Sequence, residues 1–249
     1  MQLEPIKITE TIERLKLRIE ERFPGSGLAR VCDRLLYRAR ETEEVVERLG
    51  TPIWPIRAVS LLVILAFVAS LLVLVLSHRI EEGASMSAVV QTLDAGGNVL
   101  LLLGLTSVFL WSWETKVRRR RAIVAINRLR DLAHVVDMKQ LTKDPAVVTG
   151  FDLKTASSPA RILDAFLLGR YLDYCSECLS LISKLGYLYV ARFQDPVATD
   201  AVNELEGLCT GLSRKVWQKI MILRAERGLA ATSAAPAAAD RAPRPSSER

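Results

Sequence analysis

The chain has 249 residues, of which 50% are apolar and 25% charged, and its formal net charge is +6. That mixture excludes an evenly polar globule: very apolar segments must alternate with ordinary polar ones, and abundant Leu, Ala, Arg and Glu with only 6% aromatics favour helix. The positive charge is local, with seven basic and three acidic side chains in residues 114–138, whereas a nucleic-acid-binding domain spreads basic residues over a face among aromatics, so no nucleic-acid partner is expected.

The opening, Met1-Gln-Leu-Glu-Pro, is polar and shows no signal-peptide pattern. Residues 1–55 read as two N-terminal helices. Ile8, Ile12, Leu15, Ile19 and Phe23 recur at spacings of three and four, a one-sided apolar stripe. Pro24-Gly25-Ser26-Gly27 interrupts it, with Ser26 as N-cap of the next helix. That helix carries Leu28, Val31, Leu35, Val45, Val46 and Leu49 and stops at Gly50 and Pro52; its middle, RARETEE, is expected to be solvated.

Residues 56–77, IRAVSLLVILAFVASLLVLVLS, hold a single charge, Arg57. A helix of this length spans a hydrocarbon core of roughly 30 Å, so this is expected to be transmembrane helix 1. A short extracytoplasmic loop, 78–87, leads to a second span at 88–112. Its inner part, Val99 to Leu110, is strongly apolar; Gln91, Asp94 and Asn98 share one face of its first half, either in the headgroup zone or as an outer polar patch at a pore mouth. Trp54, Trp111 and Trp113 stand at the span ends nearest the termini, where an indole keeps its ring half buried and its N–H wet. Lys116, Arg118, Arg119, Arg120 and Arg121 follow at once. With Arg38, Arg40, Arg48 and Arg57 before the first span and only Arg79 in the loop, both termini are expected on the cytoplasmic side. The cluster is therefore a topology lock that also attracts anionic headgroups.

A basic juxtamembrane helix, 113–138, continues the second span, since no Pro or Gly falls between 105 and 138, and presents Ile123, Ile126, Leu129, Ala133 and Val136. Residues 139–157 form a linker. Ser158-Pro159 reads as a cap that opens a C-terminal helical hairpin, 158–228. Its first helix has two adjoining stripes, Leu167, Tyr171, Tyr174, Cys178, Leu181, Leu185 and Leu188 beside Leu168, Leu172, Cys175, Leu179 and Ile182. So wide an apolar face needs cover from two sides, which implies a bundle. Asp195-Pro196 caps the last helix, with Val202, Leu205, Cys209, Leu212, Val216, Ile220 and Leu223 on one face. The Ala/Pro/Ser/Arg tail, 229–249, is expected to be disordered.

Little chemistry is signalled. Cys175-Ser-Glu-Cys178 has CxxC spacing, yet it lies mid-helix on an apolar face instead of at a helix N-terminus, and a metal site would have only Cys209 as an obvious third thiol. His134 and Asp137 share a helix face as a helix-end ion pair. There is no Gly-rich phosphate loop or histidine triad, so no catalytic residue and no cofactor is assigned. The expected fold is all-α: a two-span transmembrane hairpin whose N- and C-terminal helices meet in a cytoplasmic bundle. The expected role is a non-enzymatic, membrane-anchored interaction or regulatory module, self-associating or binding a protein partner. An oligomeric channel lined by the second span is the alternative. Arg outnumbers Lys by 25 to 9 and the tail is rich in Ala and Pro, a composition expected of a GC-rich bacterial genome, so the membrane is expected to be a bacterial inner membrane.

Overall fold

A computed structural model describes residues 3–79, 86–145 and 163–234. Among these residues the protein is all-helical, without strands: α1 (Pro5–Arg22), α2 (Gly27–Gly50), α3 (Trp54–Arg79), α4 (Met86–Leu141), α5 (Ala165–Arg192) and α6 (Pro196–Ala234). The linker expected from residue 139 begins later, because α4 runs on to Leu141; residues 146–157 of it and most of the tail, with Ser158 and Pro159, lie outside the described residues. So do residues 80–85 of the loop, whose flanking helices reach in to Arg79 and Met86. The described residues divide into two compact units, 1–44 with 125–249, and 45–124.

In the first, packed unit, every residue of the α1 stripe from Ile8 to Phe23 is buried. The chain reverses at Gly25, whose φ of +64° suits a residue without a Cβ. Ser26 Oγ then accepts from the Ala29 N–H at 3.1 Å, the expected cap of α2. Phe23 closes the turn by setting its ring edge-on to Tyr171 and Tyr174 of α5, with centroids 5.4 and 6.2 Å apart.

The polar middle of α2 departs from expectation. Ala39 and Thr42 are buried, so RARETEE is solvated on one side only. Leu35, Ala39, Thr42, Val46 and Leu49 follow at alternating steps of four and three, and the core stripe never lapses. Thr42 is accommodated by donating to the Arg38 carbonyl at 2.7 Å and by sharing a 2.9 Å hydrogen bond with the Tyr189 hydroxyl. A buried hydroxyl without such partners would be costly.

Ile126, Leu129, Ala133 and Val136 of α4 are buried as their spacing predicts, and Ile123 is half-buried. The last carbonyls of α4 have no intrahelical partners, and side chains from two other helices serve them. Tyr171 Oη of α5 donates to the Lys139 carbonyl at 3.3 Å, and Lys219 Nζ of α6 to the Gln140 carbonyl at 2.8 Å. A cation at that point also complements the negative end of the helix dipole.

The helix α5 starts at Ala165, later than the Ser158 cap implies, and its own N-cap is Asp164, whose Oδ1 accepts from the Leu167 N–H at 2.7 Å. Both stripes of α5 are buried apart from half-buried Leu167, and α5 packs against α1 and α6. Asp195 caps α6 as expected, accepting from the Ala198 N–H at 3.0 Å, and all seven residues of the α6 stripe are buried. This helix runs on to Ala234, six residues into the segment expected to be disordered.

The helices α5 and α6 pack tightly at Gly186, where a Cβ would meet Leu205 Cδ2 at 2.7 Å. Leu205 is fully buried, so its side-chain end would have to shift within the core. Gly186→Val should therefore destabilise the packed unit by about 1–3 kcal/mol, the usual cost of overpacking. Unfolding of the full chain followed by far-UV circular dichroism checks this; an unchanged midpoint would show that the two helices are not in contact there.

Candidate membrane-interface site

The second, apolar unit contains the end of α2, all of α3 and α4 up to Val124. Both α3 and α4 carry a window long and apolar enough to cross a membrane, and no residue of either window is buried. Leu61, Leu62, Leu65, Leu101, Leu102 and Leu105 are all exposed. A helical backbone satisfies its own N–H and C=O groups, which is the condition for placing such a segment in hydrocarbon.

Trp54 is the first residue of α3, and Trp111 and Trp113 lie on α4; all three are exposed. Lys116, Arg120 and Arg121 are exposed and Arg119 half-buried. Arg118 differs from them. It turns inward, donating to the Leu49 carbonyl at the end of α2 and lying 3.9 Å from Glu114 Oε1.

Glu114 is the residue that the sequence reading passed over. It is 6% exposed, and its two carboxylate oxygens join three parts of the unit. Oε1 accepts from the Ile53 backbone N–H at 3.2 Å, just ahead of α3, and Oε2 accepts from Arg57 Nε at 3.4 Å in the first turn. The start of a helix carries unsatisfied N–H groups and a partial positive charge, so a carboxylate brought there from α4 acts as a cap supplied by another helix. Its charge is met by Arg57 and Arg118 together. The sequence clue is one acidic residue between a tryptophan pair and a run of bases, hidden when that run is read as a sum of charge.

Gln91, Asp94 and Asn98 recur at i, i+3 and i+7 on α4, and each side chain is exposed. The thiols lie elsewhere, in the packed unit. Cys175 and Cys178 are fully buried on α5, Cys209 is buried on α6, and Cys178 has Cys32 of α2 as a hydrogen-bonding neighbour. Among the described residues no group of three or more His, Cys, Asp or Glu is placed to hold a metal ion. Burial pushes Cys175 up to about 12 and Cys209 up to about 11, and a hydrogen bond to Cys32 together with burial raises Cys178. Such thiols stay protonated and unreactive at neutral pH. Burial lowers Lys219, against the pull of Asp144 and Asp137. Asp137, expected to pair with His134, accepts from Gln140 Nε2 at 2.8 Å.

No family model matches the chain, and neither the curated proteins nor the solved structures provide a match.

Two outcomes follow from these contacts. Glu114→Ala leaves the Ile53 N–H and the Arg118 guanidinium without their carboxylate and should cost on the order of 1–3 kcal/mol, held to that range by the exposure of Arg57. Glu114→Gln, which keeps an acceptor for Ile53, should cost less. Thermal midpoints in detergent measure both, and equal losses would mean that the amide contact is immaterial. The second outcome concerns alkaline pH. Below 9.0 the Cys175 thiol is protonated whether folded or unfolded; between 9.0 and about 12 only the unfolded chain gives up that proton. Stability should therefore fall as pH rises through this window, with a slope of at most about 1.4 kcal/mol per pH unit for each such thiol. Cys175→Ala should flatten the fall, as unfolding midpoints taken from neutral pH upward will show.

Proposed function

We propose that this protein is an integral membrane protein: a two-span hairpin of α3 and α4 that anchors a non-enzymatic interaction module built from α1, α2, α5, α6 and the end of α4. The observation that carries this reading is the contrast in burial between the two units. The stripes of the packed unit are covered by protein, while the leucines of α3 and α4 are covered by none of the described residues. Lipid is the solvent in which that exposure costs nothing.

Tryptophans at the ends of both apolar segments and the basic residues beyond them support an orientation with both termini in the cytoplasm; the excess of Arg over Lys fits a GC-rich bacterial genome, and with it a bacterial inner membrane. The module has apolar surface with which to meet a protein partner or a second copy of the chain. On α6, Trp217, Met221 and Ile222 are exposed at neighbouring helical positions, with the Arg224 guanidinium 5.8 Å from the Trp217 ring. Tryptophan and arginine are the residue types that most often dominate binding energy.

A channel lined by α4 is the second reading, favoured by the exposure of Gln91, Asp94 and Asn98 along one face. Ion flux in reconstituted vesicles that disappears with Asp94→Ala would select it.

Chemical crosslinking in native membranes tests the first reading. The protein should remain with the membrane after alkaline carbonate washing and be captured as a homo-oligomer or with a discrete partner. Trp217→Ala should reduce capture about tenfold, a loss typical of an interface hot spot. Release by carbonate would end the membrane assignment; undiminished capture with Trp217→Ala would move the interface off α6.

A further inference from the structure

Where α3 begins, the two apolar helices do not close against each other. Pro55, Ile56 and Val59 of α3 and Phe109, Leu110 and Trp113 of α4 line an open-sided groove of about 340 Å³. Its wall on α4 is aromatic, with the Phe109 and Trp113 rings 5.7 Å apart and tilted at 47°. Its lining is almost wholly apolar, the Trp113 indole N–H being the one side-chain polar group, so a polar metabolite is a poor occupant.

Charge is concentrated beside this groove. Arg57 follows Ile56 in sequence, directs Nε to Glu114 and remains 59% exposed. Glu114 supplies one negative charge, against the positive charges of Arg57 and Arg118 within 4 Å of it. The Arg57 guanidinium thus offers positive charge at the surface beside the groove, and Lys116, Arg120 and Arg121 add exposed cations further along α4. A narrow apolar strip that ends at a cationic rim has the two-part chemistry of a phospholipid: an alkyl chain for the strip and a phosphate for the rim.

We propose that this groove binds one anionic phospholipid, its acyl chain against Val59, Phe109 and Trp113 and its phosphate at Arg57. The proposal rests on the membrane reading above and adds to it a discrete site. General attraction to the arginine run requires no groove; this site requires both groove and rim. A zwitterionic lipid fits the groove but brings a quaternary ammonium to a positive rim, so the site distinguishes headgroups.

Trp113 provides the test. In full-length protein carrying Trp54→Phe, Trp111→Phe and Trp217→Phe, Trp113 is the sole indole, and bromine on an acyl chain quenches it at contact range. The protein is reconstituted into phosphatidylcholine vesicles containing a minor fraction of brominated phosphatidylglycerol or, separately, of brominated phosphatidylcholine. Phosphatidylglycerol is expected to quench about fivefold more strongly at equal fraction, the preference that a single basic residue near an anionic surface provides. Arg57→Gln should remove the preference and Arg57→Lys should keep it. Val59→Phe, which fills the groove and leaves residues 118–121 untouched, should also remove it. Circular dichroism and flotation with vesicles confirm that each variant is folded and inserted. Equal quenching by both lipids overturns the site, as does a preference that survives Val59→Phe. Absence of quenching by either lipid, with protein that does not float, overturns the membrane reading itself and the site with it.

Discussion

The solvation of two apolar helices governs everything else about this chain. Water penalises exposed leucine at about 25 cal/mol per Å² of apolar surface, and α3 and the first half of α4 present many leucines that the described residues leave exposed. The packed unit shows that the same sequence buries apolar stripes thoroughly where it has helices to bury them against. The difference lies in partners: α5 meets α1 on one side and α6 on another, so its double stripe disappears, whereas α3 has no comparable cover. The proposed bilayer supplies that cover.

Among the described residues, many polar groups in each unit are served at helix ends and in cross-helix pairs. Tyr171 and Lys219 serve the last carbonyls of α4, Asp164 and Asp195 serve the first amides of α5 and α6, and Glu114 serves the amide ahead of α3. Each places a side chain where a helix cannot bond to itself. Glu114 differs from the other acidic caps because it comes from a distant helix and needs two arginines beside it. It secures the backbone of one apolar helix to the side chain of the other at the level of the tryptophans.

The sequence revealed the fold wherever large apolar residues kept helical spacing. The stripes of α1 and α6 could be read in full, because Ile, Leu and Val at steps of three and four have one interpretation. The core face of α2 was read only in part, because Ala39 and Thr42 carry it through a charged stretch. A small residue and a hydroxyl resemble surface residues until Tyr189 appears opposite. The start of α5 was placed at Ser158 on the strength of a following proline, yet Asp164 makes the cap. Around the interface, the tryptophans and bases were visible as a group, but inward-turned Arg118 could not be told from its neighbours. Nor could the part played by Glu114 be seen, because it depends on an amide 61 positions away in sequence.

The contact between Glu114 and the Ile53 N–H has a bearing on how freely the short bend at 51–53 can evolve. A backbone amide is common to every residue except proline, so most substitutions at position 53 preserve the donor whatever side chain they bring. A single inserted residue would instead add up to about 3.5 Å of chain ahead of α3, enough to carry the amide and Arg57 away from the carboxylate together. Homologous chains should thus vary in composition through this bend while conserving its length.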